Sequence, residues 1–318
     1  TEPTFAVGNP TVLFEAVYSA TYVIAPDAQR FLMIKPPGVP TDDALEACFQ
    51  GNRLYGDDFD SRAIEAWHAD EEEGYSSLVD ENGGSYSYVY HALNTIHGFS
   101  RLSSGPLGQV LSFGGAYGDE LQPICGRIDG VTILEPSGVM KVAELCGQPV
   151  TYVKAVPNGS LPFPDGSFDL VTCFGVLHHI PNVSFVVGEL RRVLRPGGAL
   201  LLREPINSMG DWRRPRPGLT RHERGIPLGL LRDLIARVGF DVRHESLLGF
   251  RPIPILAQRL GIAAYNSTVV TRLDSALAGL FRWNYRYHAT NVWEQLRPTS
   301  AFFVLQPSDA DSARNMVS

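Results

Sequence analysis

Residues 110–118 read Val-Leu-Ser-Phe-Gly-Gly-Ala-Tyr-Gly, an apolar run that breaks into a glycine-rich turn. A buried strand stopped by Gly114, Gly115 and Gly118 leaves bare backbone beyond its carboxyl end, where a following helix aims free N–H groups at a ligand. The next apolar run closes on Leu134-Glu135-Pro136-Ser137, with Glu135 standing 21 residues after Gly114. A carboxylate at the end of a second parallel strand can accept hydrogen bonds from a ribose diol. These two strand ends predict a small-molecule site.

Two later segments follow in order. Residues 161–171, Leu-Pro-Phe-Pro-Asp-Gly-Ser-Phe-Asp-Leu-Val, read as a turn and a fourth strand, continuing into Cys-Phe-Gly-Val-Leu-His-His-Ile-Pro at 173–181. Residues 189–198, Glu-Leu-Arg-Arg-Val-Leu-Arg-Pro-Gly-Gly, read as a helix and tight turn before a fifth strand at 199–203. In this order and spacing the chain resembles the class I S-adenosylmethionine (SAM)-dependent methyltransferases over roughly 105–250. Their first motif is a hydrophobic strand followed by acid-x-Gly-x-Gly-x-Gly, and Ser112, Gly114, Ala116 and Gly118 stand at its four places.

The resemblance implies SAM as cofactor, held by Ser112, Gly114, Gly115, Ala116, Tyr117 and Gly118 on the first turn. It adds Glu135, Pro136 and Ser137 after strand two, Asn158, Gly159 and Ser160 after strand three, and Phe174 at the end of strand four. The chain departs from the family at three places. Ser112 replaces the motif's acid, Ala116 its middle glycine, and Val156-Pro157-Asn158 stands where relatives carry Gly-Asp-Ala. Asn158 is the expected substitute for the missing carboxylate at the adenine amine.

The pattern around the core supplies the rest of the architecture. Strands at 109–113, 131–134, 151–155, 170–174 and 199–203 alternate with helices, as in a parallel sheet covered on both faces. Helical periodicity at 227–238 gives way to a strand at Phe240, and 300–306 carries the signal of an antiparallel last strand. The expectation is a doubly wound, mostly parallel seven-stranded α/β sheet of the class I methyltransferase type. An N-terminal β-hairpin and helical cap occupy 1–104, the SAM-binding core 105–249, a lid insertion 250–298, and the last strand and tail 299–318. The hairpin spans 11–24 and 30–35 and is the expected homodimer element; helices are expected at 57–69, 85–99 and 266–283. Residues 70–73, Asp-Glu-Glu-Glu, read as a solvated acidic face.

A net charge of −7 over 318 residues argues against a nucleic-acid backbone as partner. The four cysteines, Cys48, Cys125, Cys146 and Cys173, form no CxxC pair and read as buried thiols in a reducing compartment. No targeting segment and no run long enough to span a bilayer is apparent, so the expectation is a cytoplasmic protein without a membrane partner.

SAM carries its own leaving group, so the protein's task is to align the acceptor and, for a hydroxyl or protonated amine, to remove a proton. His178, His179 and Glu204 lie at the carboxyl ends of strands four and five and are the candidate catalytic groups. Neighbouring histidines point about 100° apart, so one faces the acceptor and the other packs or caps. Arg213, Arg214, Arg216 and Arg221, with His222, form a basic loop that either binds an acceptor anion or pairs with the protein's own acids, 70–73 among them. Tyr285, in an aromatic stretch of the lid, is a further substrate candidate. The expected reaction is methylation of oxygen or nitrogen on a small polar, anionic acceptor, a sugar or natural-product intermediate. The alternative is a catalytically silent methyltransferase-like scaffold.

Overall fold

In the computed structural model, which describes residues 22–24, 31–33, 42–81, 87–136, 141–214, 216 and 218–308, strands β1 (Tyr22–Ile24) and β2 (Phe31–Met33) pair antiparallel. The remainder of the expected hairpin lies outside the described residues. Helices α1 (Asp42–Phe49), α2 (Ser61–Glu81) and α3 (His91–His97) precede the core. The helix expected at 57–69 therefore starts later and runs further. That expected at 85–99 is the short α3 and a 3-10 turn at Phe99–Arg101.

Eight strands form one sheet. They are β3 (Gly108–Phe113), β4 (Ile128–Glu135), β5 (Glu144–Leu145), β6 (Gln148–Lys154), β7 (Phe168–Phe174), β8 (Leu194–Pro205), β9 (Phe240–Leu248) and β10 (Ser300–Pro307), ordered 5-6-4-3-7-8-10-9 across the sheet. The seven expected strands are present, and β5 adds a two-residue antiparallel edge. β3, β4, β6, β7 and β8 run parallel, while β10 inserts antiparallel between β8 and β9. The strand order reverses beside β3, and in open α/β sheets such a point, beyond the carboxyl ends of β3, β4 and β7, is where ligands bind.

Alternation along β8 creates two cores. Leu200 and Leu202 face α4 (Val183–Arg192) and α5 (Leu228–Arg237), while Leu201 between them faces the layer containing Leu93 of α3 and Leu121. Val183, Val186, Val187 and Leu190 supply the i, i+3, i+4, i+7 stripe that seats α4. The C-terminal insertion holds α6 (Pro252–Arg259) and α7 (Thr268–Leu280); Ser267 caps α7 by accepting from the Val270 N–H at 3.4 Å.

Two expectations are corrected. The segment after the glycine turn is not an α-helix but a 3-10 stretch, Asp119–Arg127, because Pro123 lies inside it and has no N–H to donate. Cys125 and Cys146 are bonded to each other, leaving Cys48 and Cys173 as buried thiols. The end of that 3-10 stretch and the turn between β5 and β6 bring their Cα atoms to 4.7 Å, a proximity their sequence separation of 21 does not reveal. The cysteines therefore give no ground for assigning a reducing compartment. Among the described residues no helix is long and apolar enough to cross a membrane.

Candidate active site

β3 delivers its chain into a turn whose backbone is left-handed at Gly114 (φ 69°), Ala116 (φ 51°) and Gly118 (φ 77°). Ala116 accepts a conformation that costs a side-chain-bearing residue about 1–2 kcal/mol. Its N–H donates to Glu135 Oε2 at 3.0 Å, which ties the end of β4 to the turn. Burial pushes the Glu135 pKa upward against that hydrogen bond. One carboxylate edge is thus fixed on the turn, on the ligand side of the two strand ends.

Ser112, at the place of the motif's acid, is paired with a buried acid from the segment after the turn. Ser112 Oγ donates to Glu120 Oε1, and Thr172 Oγ1 of β7 lies 3.5 Å from the same oxygen. A Cβ on Gly115 would overlap both Ser112 Oγ and the Glu120 carboxylate, so only glycine fits over this pair. Burial pushes the Glu120 pKa up to about 7, opposed by the Ser112 hydrogen bond. Glu120 was not legible as a site residue, since its partner is eight positions away through an irregular segment.

After strand three, the Asn158 side chain turns into its own loop, accepting from Ser160 N at 3.0 Å and Ser160 Oγ at 2.8 Å. Its backbone oxygen accepts from Asn182 Nδ2, and Gly159 adopts φ 78° against Val186. Phe174 closes β7 against Phe99 and Phe302. Tyr117 and Pro136 flank the turn half-buried, and Ser137 lies outside the described residues.

At the ends of β7 and β8 the catalytic candidates come together. Glu204 is fully buried; it accepts from the Val176 and Leu177 N–H groups at 2.9 and 2.8 Å and lies 2.9 Å from His178 Nδ1. Glu204 therefore shapes the 175–179 turn and orients His178 rather than facing a ligand itself. Glu223 Oε1 stands 3.7 Å from His178 Nε2. Burial alone would lower the His178 pKa, but Glu204 and Glu223 together carry it above its ordinary value. His179, packed against His178 with ring centroids 4.0 Å apart, has Nδ1 2.9 Å from Glu71 Oε2. Burial and the adjacent His178 lower its pKa.

The cap covers this pair. Trp67 of α2 donates its indole N–H to His179 O and stacks on His222 at 4.4 Å. Arg224 donates to His178 O and Tyr55 O beneath the Trp67 ring. Glu71, read from sequence within a solvated acidic face, is 6% exposed and also accepts from Thr220 Oγ1. Glu71, Glu223 and Arg224 are thus part of the site, although only the cap's docking reveals it. One ring nitrogen of each histidine and a Glu223 oxygen lie within 4.8 Å of one another, a donor set a cation could use. Arg216 and Arg224 already oppose the charge of Glu71 there, and Arg216 that of Glu223.

The basic loop resolves toward its internal reading. Arg213 pairs with Glu46 and Asp211 at 2.6 and 2.8 Å, with its guanidinium 3.7 Å above the Phe49 ring. Arg214 is 84% exposed, Arg216 binds the Met209, Thr220 and Glu223 carbonyls, and Arg221 and His222 reach Asp70 at 3.6 and 3.1 Å. These groups do not converge on one anion site. Tyr285 clamps backbone, donating to Ile206 O at 2.6 Å and accepting from Leu228 N at 3.0 Å.

The family described as "Methyltransferase domain" matches residues 111–202, the span from the glycine turn to β8. Residues 111–202 carry a class I S-adenosylmethionine-dependent methyltransferase domain. The chain is 31% identical over 158 residues to a 2-methyl-6-phytyl-1,4-hydroquinone methyltransferase of Synechocystis, covering 49% of this chain and 45% of that one. It is 28% identical to the ubiquinone biosynthesis O-methyltransferase of Proteus mirabilis, over 45% of this chain and 56% of that one. The chain thus spans about half the length of these curated relatives. The YcgJ protein of Bacillus subtilis overlays with a TM-score of 0.43 at 19% identity, covering 69% of this chain and 98% of that chain. SAM is the methyl donor of this domain type. The residues present suit it: Glu135 offers a buried carboxylate at the end of β4, and the left-handed turn bares its backbone beside it.

Proposed function

We propose that this protein methylates a hydroxyl oxygen of a small-molecule acceptor, with His178 as the proton acceptor and Glu204 as its positioning residue. SAM supplies the methyl group already activated on a sulfonium. What the chain adds is a turn and a Glu135 carboxylate to hold the cofactor, a buried edge that excludes water, and a base for the departing proton.

The observation that carries this reading is the 2.9 Å contact between His178 Nδ1 and Glu204 Oε2 at the end of β7. With Nδ1 held by a carboxylate, Nε2 is the atom that takes the proton, and the imidazolium that results is stabilised by Glu204 and Glu223. The name of one relative, a ubiquinone biosynthesis O-methyltransferase, favours oxygen as the acceptor atom, and that of the other, a hydroquinone methyltransferase, favours a hydroquinone-type ring. The internally paired arginines lend no support to an anionic one. The silent-scaffold reading drew on Ser112 and Pro157; the Glu120 carboxyl that Ser112 contacts speaks against the first of these. Self-association through the N-terminal hairpin remains part of the proposal, and light scattering on the full chain should return a dimer mass.

Calorimetry with SAM, followed by methyl transfer to simple hydroquinones and catechols, tests the reading. Binding with transfer to a phenolic oxygen is the expected result. A folded protein that does not bind SAM would return the scaffold reading.

A further inference from the structure

We propose that the C-terminal insertion docks this protein on the surface of a bilayer carrying anionic lipid. The insertion holds most of the large apolar side chains that the described residues leave in solvent. On α7, Val269, Leu273 and Leu280 are 77, 50 and 64% exposed, and with exposed Ala276 they make an i, i+4, i+7, i+11 stripe pointing away from the protein. The opposite side of α7 buries Thr271, Asp274 and Ala278. Leu256 of α6 and Leu260 just beyond its end, 55 and 65% exposed, form a second such edge. The loop beyond α7 adds Trp283 at 73%, and Trp293 follows at 77%. Asn284 Nδ2 joins these two loops by donating to the Trp293 and Leu296 carbonyls.

Charge identifies what this face meets. Between residues 250 and 298 the chain has six arginines and two carboxylates, although its overall charge is −7. Of those carboxylates Asp274 is buried, accepting from the Gly249 and Phe250 N–H groups at 2.8 Å. Arg259, Arg272 and Arg282 are exposed and form no ion pair among the described residues. Exposed aliphatics, paired tryptophans and unpaired arginines match the acyl boundary, interface and headgroup layers of an anionic bilayer, in that order. A second copy fits poorly, because a two-fold contact would set this cationic face against itself. Among the described residues no helix is long and apolar enough to cross a membrane, and the proposed contact is with the bilayer surface.

The protein contains its own reporter. Of its four tryptophans, Trp67 and Trp212 are 1 and 6% exposed, so a change in emission on adding vesicles reports Trp283 and Trp293. Phosphatidylglycerol-containing vesicles should co-sediment the full chain and shift its emission to the blue; pure phosphatidylcholine vesicles should do so weakly, and added salt should reverse binding. Arg259→Gln and Arg272→Gln should each weaken binding about fivefold. Trp283→Ser with Trp293→Ser should abolish the shift and lower affinity while leaving the melting temperature unchanged, since both rings lie in solvent. No sedimentation of the wild type with either vesicle, or equal affinity for both, overturns the proposal. So does a concentration-dependent dimer that the tryptophan variants dissolve without changing vesicle binding.

Discussion

Glu204 and His178, 26 residues apart in the chain, meet with the Glu204 Oε2 to His178 Nδ1 distance at 2.9 Å. The same carboxylate accepts backbone N–H groups of the turn that carries His178, so the proposed base and its orientation come from one anchor. His178→Ala should lower turnover by about 10²–10⁴ while SAM affinity stays near wild type. His179→Ala should instead lower the melting temperature, because it leaves the buried Glu71 carboxylate with one hydrogen-bond partner fewer. Full turnover in His178→Ala would remove the base from this site.

The pH profile follows from the sign of the His178 shift. Glu204 and Glu223 hold the imidazole pKa above its ordinary 6.5, outweighing burial, and the base works only when neutral. Activity should therefore fall as pH drops through a midpoint above 6.5. Glu204→Gln should move that midpoint down; an unmoved midpoint in kcat against pH would assign it to another group.

Glu135 holds the turn through Ala116, and we propose that it also makes the ribose contact. Glu135→Ala should weaken SAM by about 1.5–3 kcal/mol, the worth of a hydrogen bond to a charged group. Calorimetry measures it directly, and unchanged affinity in a folded variant would take Glu135 out of the cofactor site.

Glu120 links stability to pH. Its folded pKa of about 7 lies above the ordinary 4.5, so its stabilising effect is complete below 4.5 and is lost as pH rises through 7. Relative to Glu120→Gln, the wild type should lose up to about 3 kcal/mol across that window. Melting curves of the two proteins from acid to mildly alkaline pH should separate progressively; parallel curves would mean that Glu120 is not protonated in the fold.

The Cys125–Cys146 bond closes a loop of 21 residues around β4, and its reduction should cost about 3 kcal/mol by the loop-entropy argument. Melting with and without dithiothreitol checks this, and Cys146→Ser should match the reduced wild type.

The order of apolar runs and the glycine turn at 114–118 determined the sheet, because strand burial and left-handed turns are encoded within a few residues of one another, whereas the tight turn expected at 196–198 is an irregularity inside β8. Glu135 was legible for the same reason: its place at a strand end follows from the strand. The contacts that complete the site were not. Glu120 reaches Ser112 through an irregular 3-10 stretch, Glu71 is buried only because α2 docks over His179, and Cys125 meets Cys146 where two turns converge. The arginine loop left two readings open in the sequence, an anion site or internal pairing. Only the tertiary structure, by setting Arg213 against Glu46 and Arg221 beside Asp70, chose between them, since charge pairing depends on distances between segments that no local pattern records.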